Sequence, residues 1–293
     1  MTSYPLISII TPNYNTISTI ENCILSVISQ SDQNIEHWFI DGKSTDGSLE
    51  VINKYAQQYS HIKYVSEEDK GIYDAMNKGI DLANGEWLYF LGADDAICPG
   101  SLERVVREIN MSNADLLYGK IKEVGRRNRV FGQEFNLNNL TYEMLLSPFI
   151  HLFVHHQGVF IRKSLFEKHG YYNLRYKIGA DIHFFMKVIN NPSVKKVFLN
   201  EFIAYVGTNG LSSNEDDLII SEEFPDLAYK YLNISIDKKK YYRNLSKYYF
   251  YKVHRQELWQ GIAGLARLAR KTHDYFFYIK NTTYWIKKRL TEN

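Results

Sequence analysis

Two hydrophobic rhythms alternate over the first hundred positions. Short apolar or β-branched runs at Leu6–Thr11, Ile35–Asp41, Ile62–Val65 and Trp87–Leu91 predict strands. Between them, apolar residues recur at three- and four-residue spacing and predict helices. The first carries Ile17, Ile20, Ile24, Val27 and Ile28, with Thr16 or Ser18 as candidate caps. The second opens at Ser48 and turns Leu49, Ile52 and Ala56 inward. The third carries Ile72, Ala75, Met76, Gly79, Ile80 and Ala83 and stops at Asn84-Gly85. This β-α-β-α-β-α-β alternation predicts a parallel sheet flanked by helices, with right-handed crossovers. Trp87–Leu91 is apolar at nearly every position, as expected of a strand covered on both faces.

Farther along, Pro99-Gly100 turns the chain into a helix with Leu102, Val105, Val106 and Ile109 inward. Leu116–Val124 predicts a strand, and the basic Gly125–Arg129 segment a tight turn into another. Residues 131–150 fit no single pattern, though Tyr142–Leu146 suits a short helix. Gln157–Arg162 predicts a strand, followed by a short helix ending at His169-Gly170. Asp181 opens a helix carrying Phe184, Phe185 and Val188, and Val197–Leu199 and Ile203–Val206 predict short strands. Beyond about residue 215 the pattern is helical, with no internal repeat and no low-complexity segment.

Length and charge refine this picture. The 293 residues suit one large domain, or one domain with an appendage. Cys23 and Cys98 form no metal or redox spacing, so a reducing compartment is expected. The amino-terminal MTSYPLISIITP lacks a basic segment, an apolar stretch and a small-residue cleavage site, so no signal peptide is expected. No apolar run is long enough to span a bilayer; Met144–Ile161 comes nearest, broken by Pro148, His151, His155, His156 and Gln157. The net charge of +2 hides an asymmetry: residues 238–289 carry a net +12, and residues 1–237 a net −9. That split bears on partners rather than on fold.

The candidate chemistry lies in three loops that follow three of the strands: Pro12–Asn15, Asp41–Asp46 and Ala93–Asp95. In a parallel sheet all three share one edge, where open α/β sheets bind ligands. Asp94 and Asp95 are adjacent hard oxygen ligands suited to a divalent cation carrying a diphosphate; an isolated Asp-Asp pair is otherwise an ordinary solvated loop. A dinucleotide-binding Gly-x-Gly-x-x-Gly loop is absent, the first loop being TPNYNT, and no Walker-type loop is present. Hydride transfer and ATP hydrolysis lose ground accordingly.

The segments SIITPNYN (8–15), DGKSTDGS (41–48), SEEDKGIYDAMNKGI (66–80), GEWLYFLGADD (85–95), HQGVFIRKSLF (156–166) and GADIHFFMKV (179–188) together resemble the family 2 glycosyltransferases, in the bacterial cell-surface polysaccharide branch. They cover roughly the first 210 residues. The resemblance implies a GT-A fold, a Rossmann-like, mostly parallel α/β sheet flanked by helices. Residues 1–214 would form it, with 1–98 as the nucleotide-sugar half and 99–214 as the acceptor half; residues 215–293 would be a helical, basic and aromatic carboxyl-terminal extension. It implies that Thr11, Pro12, Tyr14, Asp41 and Ser44 frame the base and ribose, and that Asp69, Lys70, Asp74 and Asn77 line the nucleotide-sugar pocket. Asp94 would contact ribose or metal and Asp95 would be the principal ligand of Mg²⁺ or Mn²⁺. Many members have Asp-x-Asp or three consecutive acids where this chain has Gly92-Ala93-Asp94-Asp95; the missing acid at Ala93 is where the metal assignment is most exposed. Lys70 precedes a helix amino terminus, which favours an anion, whereas Lys78 reads as a solvated helix flank.

Inverting sugar transfer needs a carboxylate near the acceptor hydroxyl. The resemblance places Asp181 there; the residue alone reads equally as a helix N-cap. His155, His156 and Gln157 precede a strand and stand within reach of acceptor or diphosphate. Adjacent residues in a strand face opposite ways, which leaves one histidine for the site, His156. His183 reads as packed or exposed. The implied activity is an inverting, metal-dependent transfer from a nucleoside-diphosphate sugar, UDP first, to a saccharide acceptor. That acceptor would be lipid-linked, in O-antigen or capsule assembly. The alternative is a non-catalytic nucleotide-sugar or glycan-binding protein. The segments KKKYYRNLSKYYFYK and YFFYIKNTTYWIKKRL interleave cations with aromatics, which suits the anionic inner leaflet and a peripheral cytoplasmic location. A helical appendage packed on the acidic body is the competing account; nucleic acid has no support in residues 1–237.

Overall fold

The parallel half of the sheet follows from the alternation in the sequence. The structure, a computed structural model, describes residues 6–31, 34–124, 130–131, 155–189 and 191–207. Strands β1 (Ile7–Asn13), β2 (Ile35–Asp41), β3 (Ile62–Ser66) and β4 (Trp87–Phe90) lie in the order β3-β2-β1-β4, all parallel. Helices α1 (Ile20–Ile28), α2 (Ser48–Gln58) and α3 (Ile72–Leu82) connect them. Ile7 and Ile9 pack with Cys23 and Val27 of α1 in one core cluster. Ile10 points the other way, onto α3, where Gly79 meets it with no room for a β-carbon. Strand β1 is thus covered on both faces, and it is buried at every position but Pro12, its polar Ser8, Thr11 and Asn13 included.

Past β4 the sheet changes sense. Strand β8 (Val159–Arg162) pairs antiparallel with β4 on one side and with β6 (Leu116–Glu123) on the other. Strand β9 (Lys196–Val206) runs parallel to β6, and the two-residue β5 (Ala96–Ile97) closes the order antiparallel to β9. A short β7 (Val130–Phe131) also pairs with β6. Helix α4 (Ser101–Met111) adds Leu102, Val105 and Ile109 to the cluster under β1 and β4. Helices α5 (Lys163–His169) and α6 (Ala180–Ile189) pack through Phe166 and Phe184, stacked at 4.0 Å. Strands from both expected halves, 1–98 and 99–214, share this one sheet.

Several expectations are corrected. Helix α1 begins at Ile20, so neither Thr16 nor Ser18 caps it; Thr19 is the N-cap, without a side-chain cap bond, and Ile17 lies outside. The strand expected from Gln157 begins at Val159, because His156–Gly158 form a 3₁₀ turn. The two short strands near 197–206 are one eleven-residue strand, its pairing with β6 interrupted by register shifts around Gly119–Ile121. Lys78, on the partly exposed flank of α3, holds its ammonium 2.9 Å from Glu67 and 2.6 Å from the Glu68 carbonyl. Cys23 and Cys98 are free and buried. Among the described residues no helix is long and apolar enough to cross a membrane. The Gly125–Arg129 turn, the Tyr142–Leu146 helix and the extension 215–293 lie outside the described residues.

Candidate active site

Because β1, β2 and β4 are parallel, their three following loops do meet on one edge. The first two are tied by a polar knot around Asp41, which is buried at the end of β2. Its Oδ1 accepts from Asn13 Nδ2 at 2.6 Å and from Ser44 Oγ at 2.5 Å; its Oδ2 accepts from Ser66 Oγ at 2.6 Å and from the Ser44 amide at 3.2 Å. Burial opposes ionisation, but the bonds from Ser44, Ser66 and Asn13 outweigh it and hold the carboxyl below the usual carboxylate range. Four donors fill the lone-pair sites of one carboxylate. Asp41 is therefore committed to tying the ends of β1, β2 and β3 together. Ser44 Oγ also accepts from the Asn15 amide at 2.9 Å, clamping the two loops together.

Tyr14 stands 65% exposed at the rim, and Pro12 is partly exposed. A β-carbon at Gly42 would lie 2.5 Å from Asp69 Oδ2 and 3.4 Å from the Tyr14 ring, so Gly42 is what lets Asp69 and Tyr14 close on the second loop. Asp69 Oδ1 accepts from the Gly71 amide at 2.8 Å, and Asp74 Oδ2 from the Lys70 amide at 3.0 Å. The Lys70 side chain is exposed. Two expected pocket residues are committed elsewhere. Thr11 is buried with its Oγ1 2.9 Å from His37 Nε2, and Asn77 pairs its amide with the backbone N–H and C=O of Tyr172 at 3.0 and 2.9 Å.

The third loop carries Asp94 and Asp95. A turn from Gly92 to Asp95 ends β4's path, and β5 then anchors the chain to β9. Asp95 is buried; its Oδ1 accepts from the Gly207 amide at 2.8 Å, and its Oδ2 from the Gly92 amide and Gln157 Nε2, each at 3.1 Å. Burial first, then the charge of Asp94, pushes its carboxyl up to about 6. Burial also raises Asp94, whose carboxylate takes no hydrogen bond from another described residue. Ala93 packs beside Ile20, Ile24 and Phe39. A side chain at 93 points into that apolar cluster.

The residues present fit a hard divalent cation. They offer two adjacent, mutually repelling carboxylates, one of which takes no hydrogen bond from another described residue. Among the described residues no group of three His, Cys, Asp or Glu forms a closed metal site.

Asp181 sits in the first turn of α6. Its Oδ1 accepts from the Ile182 amide at 2.8 Å and faces the Tyr73 hydroxyl of α3 at 3.0 Å; its Oδ2 lies 3.2 Å from His156 Nδ1. The Tyr73 hydroxyl also bonds the Ile178 carbonyl, so one proton serves two acceptors. Burial opposes the charge on Asp181, but His156, the Ile182 amide and Tyr73 together hold its carboxyl below the usual range. His156 acts electrostatically on Asp94 and Asp95 as well. The turn at His156–Gly158 thus gathers all three carboxylates. His183 is buried against Tyr176. Asn13, Ser66, Tyr73 and Gly207 hold this site without having been singled out. Asn13, Ser66 and Tyr73 lie inside the motif segments 8–15 and 66–80, and Gln157 is among the residues expected within reach of acceptor or diphosphate; Gly207 carried no signal.

A family profile described as glycosyl transferase family 2 matches residues 8–170. The chain is 34% identical over 223 residues to a PGL/p-HBAD biosynthesis glycosyltransferase of Mycobacterium bovis, covering 75% of this chain and 82% of the relative. Among solved structures, S. aureus TarS 1-349 in complex with UDP-GlcNAc superposes with TM-score 0.63 at 20% identity, over 90% of this chain and 80% of that one. The mannosyltransferase PcManGT from Pyrobaculum calidifontis in complex with GDP-Man and Mn2+ superposes with TM-score 0.56 at 18% identity, over 97% and 85%. Against another TarS structure, the match covers only 43% of that chain. At these identities the solved neighbours establish the fold alone, a GT-A-type α/β architecture.

Proposed function

Given that the chain belongs to glycosyl transferase family 2, we propose that it transfers a sugar, with inversion, from a nucleoside diphosphate to a saccharide hydroxyl. The observation that carries this reading is the junction at His156-Gln157. There the acid pair suited to a cation and diphosphate meets a third carboxylate, Asp181, kept ionised. Asp181 takes the proton from the acceptor hydroxyl. The freed oxygen pair forms the new bond to the anomeric carbon, and the bond to the diphosphate breaks with its electrons leaving on the diphosphate oxygen. A divalent cation, when bound by Asp94 and Asp95, offsets charge on that leaving group. Asp41, Ser44 and Tyr14 form the wall for base and ribose, with Asp69 beside them; Asp74 shapes the approach to α3.

UDP-sugars are the first donors to test, since the TarS fragment sharing this fold was solved with UDP-GlcNAc. GDP-mannose is the second, by the same logic from PcManGT, which also held Mn2+. The test is a panel of nucleotide sugars screened with and without Mn²⁺ for turnover in the wild type and in Asp95→Asn. Metal-dependent turnover that falls by about 10² or more in Asp95→Asn is expected. Donor binding with no turnover under any condition favours the binding-protein reading instead. The acceptor we propose is a lipid-linked saccharide, reached from the membrane surface by the basic-aromatic residues 238–293. Removing them should abolish sedimentation with anionic vesicles; unchanged binding refutes that role.

A further inference from the structure

We propose that Gln157 is a positioning residue that sets the orientation of Asp95 and, through its neighbour His156, ties the acid pair to Asp181. The inference rests on the donor-site reading above. A carboxylate only accepts hydrogen bonds, so the Gln157 amide must present Nε2, not Oε1, to Asp95 Oδ2 at 3.1 Å. That orientation leaves Oε1 buried with no hydrogen-bond partner among the described residues. A half-satisfied buried amide costs stability that a methionine of the same length would not. The side chain is therefore poorly chosen for packing and well chosen for holding Asp95.

The backbone that carries it is fixed. The Tyr89 hydroxyl of β4 donates to the Gln157 carbonyl at 2.8 Å, and the Gly158 amide closes the turn on His155 at 2.9 Å. A β-carbon at Gly158 would lie 2.9 Å from the Gly119 carbonyl of β6, so the turn is seated directly on that strand. From this base two consecutive side chains reach two carboxylates: His156 to Asp181 and Gln157 to Asp95. Asp95 is also gripped by the Gly207 amide, next to which a side chain would collide with Asp94. Removing the Gln157 bond frees the one carboxylate oxygen whose other donor is the nearby Gly92 amide.

Mn²⁺ binding in the presence of UDP, followed by calorimetry, tests this in the full chain beside ligand-free thermal unfolding. Gln157→Met should weaken Mn²⁺ binding by about 10- to 100-fold, the usual effect of losing an outer-shell partner, while the ligand-free Tm stays within about 4 °C. Gln157→Asn, which keeps the amide but is one methylene too short, should show the same loss. Wild-type affinity in either folded variant overturns the proposal. So does weakening that merely tracks the loss of folded protein. A wild type that binds no Mn²⁺ with UDP instead removes the donor-site reading beneath it.

Discussion

Replacing Tyr73 by Phe isolates one hydroxyl. Tyr73 is buried on α3, its ring packed 5.5 Å from that of Tyr172, and Phe preserves that packing. What disappears is the donor placed between Asp181 Oδ1 and the Ile178 carbonyl. Asp181 keeps the Ile182 amide and His156, so the charge is weakened rather than stranded. A hydrogen bond to a charged group is worth about 1.5–3 kcal/mol. Here one proton is divided between two acceptors, so a loss of about 1.5–2 kcal/mol in unfolding free energy is expected by urea denaturation. The catalytic consequence has a definite sign. Asp181 must be ionised to act, and Tyr73 is one of the groups that depress its pKa. Without the hydroxyl that pKa rises, and the acid limb of kcat/KM moves to higher pH while the rate near neutrality changes little. An acid limb that stays in place, in a variant that is folded, refutes either the hydroxyl's action on ionised Asp181 or the role of Asp181 as base.

Two further outcomes follow from the polar network. Asp41→Asn puts an amide N–H₂ among groups that donate, costing about 2–4 kcal/mol by denaturant unfolding. Because the Asp41 carboxyl lies below the usual range in the folded chain, its contribution is present above about pH 4 and is lost as pH falls through the folded value. Wild-type stability should therefore decline more steeply in acid than that of the variant; parallel curves would exclude the proposed charge. Asn77→Asp sets a carboxylate oxygen against the Tyr172 carbonyl in place of a donor, so a loss of about 2–3 kcal/mol is expected with the KM for donor unchanged. A raised KM at full stability would return Asn77 to the pocket.

Periodicity revealed what is local. β2 was legible from Ile35 to Asp41 and α3 from Ile72 because each buries a continuous face against near neighbours in the chain. The insertion of β8 between β4 and β6 left no such trace, since antiparallel pairing across 70 residues depends on packing rather than on any run of residues. The two-residue β5 was too short to show a period, although it anchors the acid loop. Side-chain allegiance was the least legible. Thr11 and Asn77 occupy motif positions yet spend their polar atoms on His37 and Tyr172. Tyr73 instead belongs to the site because α6, more than 100 residues later, brings Asp181 to its hydroxyl. Ala93, an apparent gap in the acid motif, proved to face the core.

Asp181→Asn gives the most direct test of the whole account, with transfer and UDP–Mn²⁺ binding measured on the same preparation. Retained binding with transfer reduced by about 10² or more is the predicted result. Transfer near the wild-type rate would contradict the assignment of the base. Loss of binding in step with transfer would contradict the division of the site between a donor-holding acid pair and a separate acceptor carboxylate.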